Sequence, residues 1–271
     1  MITAPSLLTA LTRTRGPGTS QRLSDLLDHY RSPGHPVFVT GSALRHAGNS
    51  DPVLYTAWRD VLPPRRAAGT EWFADLVIYE PGELPGGELH RSTGHWNAPA
   101  QLEVFQTVSG RTLMITARRD SSAAPVLRYQ ECGPGTLAAV PFGAWHLTLV
   151  LDGPAAVFNL YCDLPGAGPS DAPAATVARQ AATSGQAKYR TGPAVEITAR
   201  RAGHGFTLTG SARGLQTWGP GKPTGEPGWL RDSIGDASLS GFFAAAEPGA
   251  LSALADQARR SLPAASRQAV R

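Results

Sequence analysis

With 271 residues, 41% of them hydrophobic, the chain is long enough for one large domain or a core domain with extensions, and apolar enough to bury a core. Charged residues make up only 17%, and 30 Gly with 23 Pro argue for short strands and turns rather than long helices. No stretch approaches the roughly 18 consecutive apolar residues of a membrane span, and the formal net charge of +4 sits on scattered pairs such as Arg65-Arg66 and Arg200-Arg201, which speaks against a nucleic-acid stripe.

Residues 1–19 read as an arm, and the short Leu7–Leu11 apolar patch lacks the length and flanks of a signal peptide, so a cytoplasmic protein is expected. Ser20 is placed to cap a helix carrying Leu23, Leu26, Leu27 and Tyr30, which Ser32-Pro33-Gly34 ends. Val37–Val39 reads as a strand, and residues 1–66 form an N-terminal segment.

From residue 67 to 165 the pattern becomes a series of short runs rich in Val, Leu, Ile and aromatics. They are Trp72–Tyr79, Leu102–Val108, Thr112–Ala117, Val126–Tyr129, Thr136–Val140, His146–Leu151 and Ala155–Tyr161. Turn residues separate them, notably Ser109-Gly110, Gly133-Pro134-Gly135 and Asp152-Gly153-Pro154, so an antiparallel sandwich or barrel is expected. Residues 166–271 begin as an Ala, Gly, Pro and Ser-rich linker. Further strands follow at Val195–Arg200, Phe206–Thr209 and Gly214–Trp218, and then a closing helix from Pro248 to Leu262 with Leu251, Leu254 and Ala258 on one face. Cys132 and Cys162 lie in apolar runs and read as small buried hydrophobes in a reducing compartment.

Two segments carry chemistry. One is Gly94-His95-Trp96-Asn97 with Glu103-Val104-Phe105 and Gly110; the other runs from Gly135-Thr136 through Val140-Pro141-Phe142-Gly143 to His146. Strand alternation gives His95 and Asn97 a common face. In a small barrel, His95, Glu103 and His146 can converge on one interior point, where two imidazoles and a carboxylate bind a divalent first-row metal and leave positions open. Glu103 is also the candidate general base. His90 is expected to be exposed, and His29, His35, His46 and His204 have no partner spacing.

These two segments resemble the paired motifs of the cupin superfamily. Six residues separate Glu103 from Gly110, and the second segment keeps the family's spacing of Gly135, Pro141, Gly143 and His146. Within the superfamily, the chain is most similar to the cupin-type, archaeal-like glucose-6-phosphate isomerases over about residues 70–165. Asn97 stands where that pattern has a second metal histidine, Leu147-Thr148 where it has Arg-Thr, and Val150 where the second motif ends in asparagine.

The resemblance implies an all-β fold: a cupin jelly-roll, or double-stranded β-helix, barrel with terminal extensions that include a few short helices. It implies one divalent metal ion, Fe, Mn, Ni, Co or Zn, on His95, Glu103 and His146, with Asn97, Thr93, Arg91 and Trp145 contacting substrate. The implied activity is metal-dependent chemistry on a small polar or anionic metabolite, with sugar-phosphate isomerisation through an enediolate as template. Non-haem iron oxygenation or a lyase reaction is the alternative, and ligand binding without turnover a third. A small-molecule partner and a homodimer are expected, with no nucleic acid and no membrane.

Overall fold

In the computed structural model, residues 18–25, 50–84, 87–98, 100–118, 126–165, 195–203, 205–212, 217–218 and 221–262 are described. Val37–Val39, the greater part of the linker, and His29, His35, His46 and His204 fall outside them. The fold is mostly β, with helices toward the C-terminus.

The main sheet contains β1 (Thr19–Arg22), β2 (Val53–Trp58), β3 (Arg65–Ala67), β4 (Thr70–Tyr79), β7 (His95–Trp96), β8 (Gln101–Arg118), β9 (Val126–Cys132), β10 (Leu137–Val140), β11 (Trp145–Asp163) and β15 (Lys222–Pro223). Its hydrogen-bonded path runs β1-β2-β4-β11-β8-β9-β15, and among the described residues it does not return on itself. Ser20 belongs to β1 and not to a helix cap: it faces Thr56 across the pairing, with their hydroxyls 3.0 Å apart, and helical conformation begins only at Leu23.

The alternating runs give the strands, but two expected turns do not reverse the chain. Ser109-Gly110 lies inside the 18-residue β8, and Asp152-Gly153-Pro154 inside the 19-residue β11. The two strands stay paired antiparallel throughout, with register shifts around Asp152 and Ala156. The irregularities face each other. Gly110 has φ +71, and a Cβ there would stand 2.4 Å from the Pro154 carbonyl oxygen, so only glycine lets the strands bend together.

The paired bends split the sheet into two walls. Residues 101–107 of β8 and 155–163 of β11 join β4, β2 and β10 in one; residues 112–118 and 145–152 join β7 and β9 in the other. Phe105, Ala138, Val157 and Tyr79 from the first wall meet Met114, Cys132 and Val150 from the second. That cluster is the interior between the walls.

Each outer face is covered. On the first, Trp72, Leu76, Val104, Phe158 and Leu160 pack with α1 (Gly228–Ile234), α2 (Leu239–Ala245) and α3 (Pro248–Ser261). The closing helix is thus present, and it buries Leu251, Leu254 and Ala258 as their spacing predicts. Each such leucine contributes about 1.5–3 kcal/mol of burial. Pro248 at its first turn and Ser238, whose side chain accepts from Gly241 N–H at the start of α2, set where the helices begin. Gln106 fastens the layer by accepting from Leu239 N–H at 2.8 Å, and Arg65 donates to the Phe243 carbonyl at 2.7 Å.

On the second wall, Leu113, Ile115, Leu147 and Leu149 pack beneath Phe206 and Leu208 of β13 (Gly205–Ala212). That strand pairs with β12 (Val195–Ala202) and β14 (Thr217–Trp218) in a second sheet, which β6 (Glu88–Leu89) and β5 (Glu83–Leu84) complete. Both cysteines are buried as expected, and burial pushes the Cys132 thiol up to about 12.

Candidate metal centre

The site forms where the walls face each other. Glu103 is on the first wall, paired with Val140 and Tyr161; His95 and His146 pair with one another on the second. On β11, His146, Thr148 and Val150 alternate inward while Trp145, Leu147 and Leu149 join the outer core. A single-residue slip of β11 would put leucine where His146 stands.

Gly94 sets the approach of β7. It has φ +75, and a Cβ there would lie 2.5 Å from Trp145 Cζ2 and 3.1 Å from the His146 carbonyl oxygen. The absent side chain lets the indole cover the backbone and lets His95 come level with His146. Their ring centroids are 4.3 Å apart, inclined by 67°.

Glu103 Oε2 is 3.5 Å from His146 Nε2 and 4.0 Å from His95 Nε2. The three candidate donor atoms lie within 4.8 Å of one another. Metal bonds of about 2.0–2.2 Å to imidazole nitrogen and carboxylate oxygen allow donor spacings up to about 4.4 Å, so closure on one ion needs shifts of a few tenths of an ångström. Two borderline nitrogens and one hard oxygen form a donor set suited to Fe, Mn, Co, Ni or Zn. The triad fits a divalent ion.

Asn159 fixes the orientation of Glu103. Its Nδ2 donates to Glu103 Oε1 at 2.7 Å, so one carboxylate oxygen is held by an amide while the other faces the imidazoles. Asn97 is 2% exposed, and among the described residues neither its Nδ2 nor its Oδ1 has a hydrogen-bond partner. Its backbone N–H donates to the Ala144 carbonyl at 2.9 Å, which continues the β7–β11 pairing and keeps its side chain on the face of His95. An unsatisfied buried amide costs about 1–3 kcal/mol, which marks a position built for a further polar group.

The other expected site residues divide by face. Thr93 is buried, with its hydroxyl 3.3 Å from Tyr55 Oη. The Tyr55 ring lies 5.5 Å from that of Tyr79, whose hydroxyl is pushed up to about 12 by burial against hydrogen bonds with Thr148 and Ser92. Arg91 bridges Leu149 and therefore takes the outward side, where it is fully buried with Nε 3.3 Å from Glu88 Oε1. Trp145 packs in the same outer core. Arg91 and Trp145 thus lie on the outer side, away from the triad, whereas Thr93 reaches Tyr55 and Asn97 shares the face of His95. His90 is buried and not exposed. Its Nδ1 lies 3.1 Å from the Glu80 carbonyl, and its ring packs against Gly82, where a Cβ would stand 2.6 Å away.

Asn159 was not legible as a site residue from motif spacing. Its signal is a lone amide inside the apolar run Ala155–Tyr161, at a position that alternation turns inward.

No protein-family model matches the chain, and no curated protein matches it. Among solved structures, KdgF from Halomonas sp. aligns at 14% identity over 41% of this chain and 81% of its own, with a TM-score of 0.28. The Cnp3 cupin domain of Schizosaccharomyces pombe aligns at 7% identity over 42% and 77%, also with a TM-score of 0.28. A recombinant oxalate oxidase in complex with glycolate aligns at 20% over 51% and 65%, with a TM-score of 0.32. All three TM-scores fall below 0.5, and the fold is defined by its own strand pairing and packing.

Proposed function

We propose that this chain is a metal-dependent cupin enzyme acting on a small polar metabolite. The observation that carries this reading is the meeting of His95, Glu103 and His146 across the interior, each delivered by a different strand. The two walls joined by bent strands, together with the motif spacing, support the double-stranded β-helix.

With a divalent ion bound, the centre would supply a Lewis acid able to polarise a carbonyl or hold two neighbouring oxygens of a substrate. Glu103 serves in this reading as the anionic ligand rather than a free base, because Asn159 occupies one oxygen and the other points between the imidazoles. Asn97 offers a donor and an acceptor to a substrate hydroxyl or carbonyl. Thr93, Tyr55 and Tyr79 form the polar wall beside it, while Arg91 and Trp145 hold the outer layer.

Isomerisation of a hydroxy-carbonyl compound remains the template reaction. One observation favours a second reading, a non-haem iron oxygenase: with Asn97 in place of a histidine, the donor set is two imidazoles and one carboxylate, the combination that iron centres with open positions use. Dioxygen uptake by the Fe(II)-loaded protein over a panel of small hydroxy acids separates the two readings, since only the oxygenase consumes it. The metal centre itself is tested by elemental analysis of the untagged wild type against Glu103→Gln. About one equivalent in the wild type and a marked loss in the variant are expected; equal content would remove Glu103 from the ligand set.

A further inference from the structure

The inner face carries a second charged assembly beside the triad. Asp75 on β4 is 0% exposed, and consecutive residues of the loop after β2 use both of its oxygens. Arg59 Nη1 donates to Oδ2, and the Asp60 N–H donates to Oδ1 at 3.0 Å. To aim that N–H, Asp60 takes φ 50, a left-handed conformation uncommon for non-glycine residues and best tolerated by Asp and Asn. A buried carboxylate therefore fixes this turn, and the turn presents a guanidinium.

Arg59 is not enclosed. Its side chain is 57% exposed, although Tyr55 and Tyr161 are near enough to act on its charge. The guanidinium is thus held against the buried Asp75 with part of its surface open to solvent.

The strand register joins this ion pair to the metal centre. Asp75 is paired with Asn159, and Asn159 donates to Glu103. Paired residues share a face with Cβ atoms about 4.5–5.5 Å apart, so Arg59, Asp75, Asn159 and Glu103 form one polar row across β4, β11 and β8. Tyr161, the register partner of Glu103, is pushed up first by burial and then by Asp75, and it also feels Arg59 and Glu103.

Resting on the metal-centre reading above, we propose that Arg59 anchors the carboxylate end of a small organic acid whose other end meets His95, Glu103 and His146. A guanidinium has five N–H donors in a planar fork, which fits a carboxylate through two parallel bonds. Asp75 takes Nη1 and sets the aim, and its own second oxygen is tied to backbone, so the anchor is preorganised. At the anchor itself a singly charged carboxylate is favoured over a dianionic phosphate, because Asp75 already offsets Arg59; the acid's other end meets the metal ion, whose charge offsets Glu103. Two strand spacings, about 10 Å, separate the strand of Asp75, which holds Arg59, from that of Glu103, so the proposed ligand has a few carbons.

The test is calorimetric titration of malonate and succinate, against their neutral diamides and inorganic phosphate, into the Mn²⁺-loaded full chain, with metal content measured in every sample. Arg59→Lys keeps a cation against Asp75 and so preserves the fold while removing the fork; Arg59→Gln/Asp75→Asn removes both charges together. Binding of at least one dicarboxylate, no binding of the diamides, and at least about a tenfold loss in both variants at unchanged metal content are expected. Equal binding in wild type and variants, diamides or phosphate bound as tightly as the acids, or no binding of either acid would overturn the anchor. A chain that takes up no Mn²⁺ would instead sink the metal centre. Arg59-dependent binding of the acids to that metal-free chain would still support the anchor, and its absence would overturn it.

Discussion

Glu103 and Glu88 are both buried carboxylates near β11, and they are accommodated in different ways. Glu88 lies in the outer layer 3.3 Å from the guanidinium of the fully buried Arg91, and it also feels Arg200. Glu103 lies in the interior, held by the Asn159 amide and faced by two imidazoles. A guanidinium is a permanent charge that ties its partner down. Neutral imidazoles are ligands that a cation can bring together around a carboxylate. Burial alone therefore does not tell a structural acid from a candidate metal donor; the chemistry of the partner distinguishes them.

The largest expected effect breaks the outer pair. Glu88→Ala leaves Arg91 charged and enclosed, and a loss of about 3–5 kcal/mol in unfolding free energy is expected from urea denaturation, with metal content per folded chain unchanged. Glu88→Leu/Arg91→Met should recover much of that loss. Metal lost in step with Glu88 would show that the two carboxylates are not independent.

The complementary change is His146→Ala. Metal affinity should fall by at least about 100-fold in competition with a chelator, while the metal-free protein keeps its denaturation midpoint. An unaltered affinity would take His146 out of the centre.

Asn159→Leu probes the orientation of Glu103 without touching a ligand. An intermediate loss of about 10–100-fold in metal affinity is expected, since partners that orient ligands typically carry effects of that size. A variant that binds metal as the wild type does would reduce Asn159 to a packing residue.

The smallest effect is in pH. Burial pushes Glu88 above its ordinary value of 4.5, against the pull of Arg91 and Arg200. A carboxyl whose folded pKa is raised contributes stability that is fully present below the ordinary value and is lost as pH rises through the folded one. Unfolding free energy should therefore decline gently over that window in the wild type, and the decline should be absent in Glu88→Gln. Identical slopes would mean that Glu88 does not titrate differently in the folded state.

Much of the interior was legible along the chain. Period-two alternation gave His95 and Asn97 a common face, the motif spacing brought Glu103 and His146 toward the same interior, and helical spacing put Leu251, Leu254 and Ala258 on one face of a helix. Local signals mislead where an irregularity and a turn look alike. Ser109-Gly110 and Asp152-Gly153-Pro154 have turn chemistry, yet they bend two strands that remain paired to each other.

The sequence by itself determined the candidate donor types and their faces, because side-chain chemistry and strand alternation are local properties. Tertiary structure alone decided the partners: Asn159 reaches Glu103 across 56 positions of chain, Arg91 turns away to Glu88, and Asp75 closes on Arg59. Those meetings depend on register between strands distant in the chain, which no local spacing encodes, and they separate the charged groups that hold the fold from those that form the site.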